Sequence, residues 1–135
     1  MTLDRQWEKF EGGPAAALTG RREVRVTINR RGLIYLNQTA YEMFGKPKAV
    51  ALYYNREADS IAVQRAYERF AENFQLVKKQ NGWVIHASTF CRHFKIRVPN
   101  TERFRRPDLD KEGNLILNLR ETVTVGGIDR RKVEA

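Results

Sequence analysis

The same plan is written twice in this chain, fifty residues apart. VRVTINRRGLIYLNQTAYEMFG (24–45) and FQLVKKQNGWVIHASTFCRHFK (74–95) align without gaps when Gly32 is laid on Gly82. Val24 and Val26 then meet Phe74 and Leu76, Leu33-Ile34-Tyr35 meet Trp83-Val84-Ile85, Thr39 meets Thr89 and Phe44 meets Phe94. In each stretch apolar residues first alternate with polar ones, as in a half-buried strand, and then recur at helical spacing. Self-similarity at a fixed period marks a repeated supersecondary unit. Such a unit exposes an apolar face and unpaired strand edges, and two of them can seal each other by interleaving. The expected fold is therefore mixed α/β and mainly β: two pseudo-symmetric β-α-β-β units interleaved into a small barrel.

Local chemistry sets the boundaries. Val24, Val26 and Ile28 point one way, and Arg25, Thr27 and Asn29 the other. Arg30-Arg31-Gly32 supplies a turn, with glycine free to take a positive φ. LIYL (33–36) is the return strand, Asn37 the N-cap, and Ala40, Tyr41, Met43 and Phe44 the apolar members of a two-turn helix. Gly45 is its C-cap candidate, and Pro47 stops continuation. AVALYY (49–54), a polar turn NREADS (55–60) and a short strand at 61–64 follow. Helix formers then predict a connecting helix over 65–73. In the second unit Ser88 takes the capping place, and RVPNTERFRRPD (97–108) leads through DKEG (110–113) into the strand LILNL (115–119).

With 135 residues the chain is expected to form one domain. Residues 1–20 read as a peripheral arm in which Trp7 and Phe10 have helical spacing until EGGP (11–14) breaks it. The barrel takes 21–125, with unit one at 21–64, the connecting helix at 65–73 and unit two at 74–120; 126–135, with DRRK, reads as a flexible basic tail. No run approaches the roughly 20 apolar residues of a membrane span. MTLDRQWEKFEGGP carries acids where a signal peptide needs an apolar core, and Cys91 is the lone cysteine. A cytoplasmic location is the expectation, with no disulfide within the chain.

RRGLIYLNQTAYEMFGKPKAVALYYNREADSIAVQ resembles the AbrB/SpoVT-like swapped-hairpin family, in a tandem, MraZ-like arrangement of two units in one chain. Arg31-Gly32, Ile34, Leu36, Phe44-Gly45, Pro47 and the 49–63 hairpin occupy that family's basic strand and turn, short strand, short helix, proline loop and hairpin. Asn37 stands where its helix-opening proline falls, and the second copy lacks the Gly-Pro pair. The resemblance implies a swapped-hairpin-like barrel that presents the basic residues of its first strand and turn to DNA. By position these are Arg25, Arg30 and Arg31, with Arg21 and Arg22 at the strand's start. Pseudo-symmetry adds Lys78 and Lys79 of the second unit.

Charge points the same way. Twenty-five basic against sixteen acidic side chains leave +9, a field that attracts polyanions. Arg103, Arg105 and Arg106 surround Phe104 in a further basic segment suited to a phosphate backbone or a base. The expected function is a transcriptional regulator contacting duplex DNA through basic β-hairpins. Two alternatives stand beside it. One is a non-enzymatic interaction or assembly module, with a second copy or another protein as partner, whose contacts come from Trp7, Phe10 or the 97–108 segment. The other is a single-strand binder stacking bases on Trp83, Tyr35 and Phe104.

No catalytic constellation is legible. Asp108, Asp110 and Glu112 cluster at a turn, as do Glu57 and Asp59, and no phosphate loop or nucleophile elbow is present. Cys91 lies in an apolar helical pattern that predicts burial, although His86 and His93 are near in sequence. The chain is expected to be no enzyme and to need neither cofactor nor metal.

Overall fold

The computed structural model describes residues 23–126. The arm at 1–20, Arg21, Arg22 and the tail beyond 126 lie outside the described residues. The fold is mainly β. Its strands are β1 (Val26–Ile28), β2 (Leu33–Asn37), β3 (Ala49–Asn55), β4 (Ser60–Ala66), β5 (Phe74–Lys79), β6 (Gly82–His86), β7 (Glu102–Phe104), β8 (Asp108–Leu109), β9 (Leu115–Asn118) and β10 (Thr122–Thr124). Helix α1 (Gln38–Met43) follows β2, and α2 (Ser88–Phe94) follows β6.

All ten strands join one antiparallel sheet in the order β10-β7-β1-β2-β6-β5-β3-β4-β9-β8, which is not closed. Its centre is β2 against β6, with Leu33 opposite His86, Tyr35 opposite Val84 and Asn37 opposite Gly82. That pairing joins the two fifty-residue-offset segments directly. Alternation sends Val26, Ile28, Ile34, Leu36 and Ile85 to one face, where all five are fully buried. Ile61, Val63, Leu115 and Leu117 complete the same core from β4 and β9. At roughly 1.5–3 kcal/mol for each buried side chain of this size, the core outweighs any surface interaction.

Both helices end in the same reversal. In α1 the Gly45 N–H donates to the Glu42 carbonyl and the Lys46 N–H to that of Tyr41; in α2 the Lys95 N–H donates to Arg92 and the Ile96 N–H to Cys91. These are Schellman closures, with Gly45 at φ +93° and Lys95 at φ +57° in the left-handed position. The N-termini differ. The Asn37 side chain accepts from the Ala40 N–H, as expected of a cap. Ser88 is instead the first helical residue of α2, behind Ala87, and no side chain caps that end.

The expected connecting helix over 65–73 is absent. β4 runs through Ala66, with Arg65 opposite Val50 and Ala66 opposite Ala49, and consecutive turns occupy 67–73. Pairing of Arg65 and Ala66 with β3 extends the expected 61–64 strand, so tertiary pairing overrides helix propensity there. Likewise the basic segment at 103–106 is partly strand, because Arg103 lies in β7 opposite Thr27.

Candidate nucleic-acid interface

The core-facing alternation leaves the opposite face of the central strands outward. Three rows cross it. One runs Arg103–Thr27–Tyr35–Val84–Val77. A second carries Arg25, Asn37, Gly82 and Lys79. The third, at the other end of the ladder, carries Asn29, Leu33 and His86. With strands about 4.8 Å apart, Arg25 and Lys79 are held about 14 Å from each other across one row. Thus cations from both offset segments share an outward face.

Asn37 fixes one end of that face. Its Oδ1 accepts from the Arg25 N–H at 3.1 Å and the Ala40 N–H at 2.8 Å, and its Nδ2 donates to the Glu23 carbonyl at 2.7 Å. One side chain therefore caps α1 and pins the approach to β1. Beside it an open cleft of about 520 Å³ is lined by Glu23, Arg25, Tyr35, Asn37, Gln38, Lys78 and the Gln80-Asn81 turn. The Tyr35 hydroxyl donates to the Asn81 carbonyl at 2.7 Å and ties that turn to β2.

Lys78 is positioned rather than loose. Its Nζ donates to Gln38 Oε1 at 3.4 Å and lies 5.1 Å from the centre of the Trp83 ring. Trp83 Nε1 donates to the same Gln38 oxygen at 3.3 Å, and its ring stacks on Tyr41 at 4.1 Å. Tyr41 in turn donates to the Pro47 carbonyl at 3.1 Å, and burial pushes its hydroxyl pKa up. Trp83 is committed to this stack and Phe104 is buried, so neither is a free platform for a base.

Arg30 and Arg31 stand at the opposite end. Asn29 Oδ1 accepts from the N–H groups of Arg31 and Leu33, each at 3.0 Å, and Gly32 takes φ +79°. This turn holds both arginines exposed beside the start of α2. Four residues of strand, at ~3.3 Å each, separate the Asn29 row from the Arg25 row by about 13 Å. Arg30 and Arg31 therefore do not enter the Arg25–Lys78 cleft. Arg105 and Arg106 are exposed between β7 and β8, where Arg106 pairs with Glu121 at 3.9 Å.

Other candidate chemistry is placed as follows. Cys91 is in the core, and burial pushes its thiol pKa up, away from the thiolate a nucleophile needs. His86 is exposed on the outward face, and the His93 ring meets Phe94 edge-on at 4.7 Å. Among the described residues no cluster of His, Cys, Asp or Glu has the arrangement of a metal site, and no helix is long and apolar enough to cross a membrane. Sequence reasoning missed the Gln80-Asn81 side of the cleft, although the fifty-residue offset sets those two residues against Arg30-Arg31. It also missed the exposure of Tyr53, Tyr67 and Phe70. No family model, no curated protein and no solved structure matches this chain.

Proposed function

We propose that this chain is a duplex-DNA-binding protein, a transcriptional regulator built from two interleaved strand–turn–strand–helix units. The observation that carries it is the outward face on which Arg25, just ahead of β1, and Arg103 of the neighbouring β7 are joined by Lys79 of the second segment, with Lys78 on the adjoining cleft. Arg25, Lys79 and Arg103 spread over roughly 19 Å across the strands and about 7 Å along them, enough to reach phosphates on the two sides of a groove about 12 Å wide. Arg30 and Arg31 extend it at one end.

The pairing pattern supports the interleaved reading. β1·β2 has its counterpart in β5·β6, and β1·β7 in β5·β3, while β2·β6 and β4·β9 each join like to like. Both ends of the sheet, β10·β7 and β8·β9, belong to one bent hairpin spanning 102–124, and the Arg105 N–H bonds the Glu121 carbonyl between them. Continuity through that hairpin is what would make the sheet a small barrel. The unequal ends of the face, Arg30-Arg31 against Gln80-Asn81, favour phosphate grip over symmetric base reading.

Binding to duplex DNA measured across a salt series tests the function. Arg30→Ala with Arg31→Ala should weaken binding and reduce the salt slope by about one per lost phosphate contact. Arg25→Ala should do the same independently. Absence of binding at low salt overturns the proposal.

A further inference from the structure

A second surface lacks the basic character of the first. Where a connecting helix was expected, the turns at 67–73 leave Tyr67 71% and Phe70 46% exposed, and neighbouring Tyr53 is 55% exposed. Tyr67 and Phe70 meet edge-on at 6.4 Å, and the Arg69 guanidinium lies 5.5 and 5.2 Å from their ring centres. The Asn73 side chain donates to the Tyr67 carbonyl at 2.8 Å and holds the turn. Two shallow grooves of about 450 and 410 Å³ flank Tyr67. The patch is thus a shaped set of rings rather than scattered apolar residues, which alone would need no explanation.

Its charges are mixed. Arg65 and Arg69 supply two positive groups; Glu68, Glu72 and Glu112 supply three negative ones. With Lys111 beside Glu112, the patch is near neutral in a chain whose total is +9. Carboxylates at the groove walls repel a phosphate backbone, so nucleic acid is a poor occupant. A second copy of the chain is a good one. Two basic surfaces repel each other, whereas this patch can meet its own image with Arg69 of each copy facing glutamates of the other.

We infer that Tyr53, Tyr67 and Phe70 form a weak, two-fold homodimer contact of this chain, with Arg69 and Glu72 setting its register. At ~150–250 Å² for a whole aromatic side chain and the exposures above, the three rings offer roughly 260–430 Å², about a third to a half of the ~800 Å² per partner of a standard interface. Dissociation is therefore expected in the micromolar to millimolar range. The inference does not depend on DNA binding.

Sedimentation equilibrium of the full chain without DNA, from micromolar to millimolar, tests it. The wild type should pass from monomer to dimer, and Tyr67→Ser with Phe70→Ser should weaken that association at least tenfold while leaving the unfolding midpoint nearly unchanged. Arg69→Glu alone and Glu68→Lys with Glu72→Lys alone should each remain monomeric, and an equimolar mixture of the two variants should dimerise. A wild type that stays monomeric throughout overturns the inference. So does a dimer that survives loss of both rings.

Discussion

The two offset segments share an order of elements, strand, turn, strand and short helix, reached by different side-chain means. α1 has a side-chain cap in Asn37 and a glycine at its reversal; α2 has Ala87 and Lys95 at the corresponding positions. The first tip is a five-residue turn closed by Asn29 and Gly32, while the second is the two-residue turn Gln80-Asn81, with Lys79 directly opposite Gly82. Local hydrogen bonds specify the first segment. The second relies on packing, with Phe90 and Cys91 buried and Phe94 set against Phe90 and Tyr54. What the segments share is a glycine at the crossing, and that shared feature predicts the largest effect.

A Cβ on Gly82 would lie 2.3 Å from the Leu36 carbonyl oxygen and 2.7 Å from the Tyr35 hydroxyl. A Cβ on Gly32 would lie 2.7 Å from the Ser88 Cα, at a residue that also needs positive φ. Each glycine thus lets one segment pass against the backbone of the other. Gly82→Ala must push β6 off β2, and a loss of about 3 kcal/mol or more is expected by urea unfolding. Gly32→Ala should be comparable, because the clash with the Ser88 backbone and the strain of a positive φ add there. A cost below about 1 kcal/mol at either site would break the idea that the crossing is tight.

The helix ends come next. Asn37→Ala removes the cap and also strands the Arg25 N–H and the Glu23 carbonyl, so about 2 kcal/mol is expected, at the upper end for a cap. Lys95→Gly should work in reverse. It relieves a left-handed lysine at φ +57° and should raise stability by about 0.5–1 kcal/mol, making the second reversal like the first. Thermal or urea unfolding of both variants sharpens the comparison: a loss on Lys95→Gly would mean that the lysine side chain has a role the reversal does not explain.

Much of this was readable from sequence where the signal is local. Alternation placed β1, apolar runs beside turns placed β2 and β3, and the fifty-residue offset placed β6; Asn37 announced a helix start, and Gly45 with Pro47 marked its end. The stretch at 65–73 was misread for a physical reason. Its helix formers compete with Val50 and Ala49, which claim Arg65 and Ala66 as ladder partners, and propensity loses to a strand already held on both edges. Tyr67 and Phe70, three apart, resemble one helical face, but turns leave both rings exposed. The candidate site was half legible. Arg25 and Lys78 could be named from charge and the repeat, yet their sharing of a cleft follows from β2 lying against β6, a pairing that neither strand encodes alone.

The smallest effect compares the Asn29 turn with its charged counterpart. Asp110 builds a similar five-residue turn: its Oδ1 accepts from the N–H groups of Glu112 and Asn114, each at 2.9 Å, its Oδ2 accepts from the Asn114 side chain, and Gly113 takes φ +84°. The Asn114 backbone N–H, foremost among these donors, holds the carboxyl below its ordinary value of 3.8. A depressed carboxyl contributes stability that is fully present above the unfolded-state value and is lost as pH falls through the folded one. The Asp110 turn should therefore weaken in acid from about pH 3.8 downward, while the Asn29 turn, with no titrating group, should not. Asp110→Asn makes the two turns chemically alike. It should leave the fold intact at neutral pH and flatten part of the acid limb, read as amide exchange at Glu112 and Asn114 against Arg31 and Leu33. Equal acid sensitivity at the two turns, unchanged by Asp110→Asn, would mean that both yield to loss of the shared core rather than to their own carboxylate.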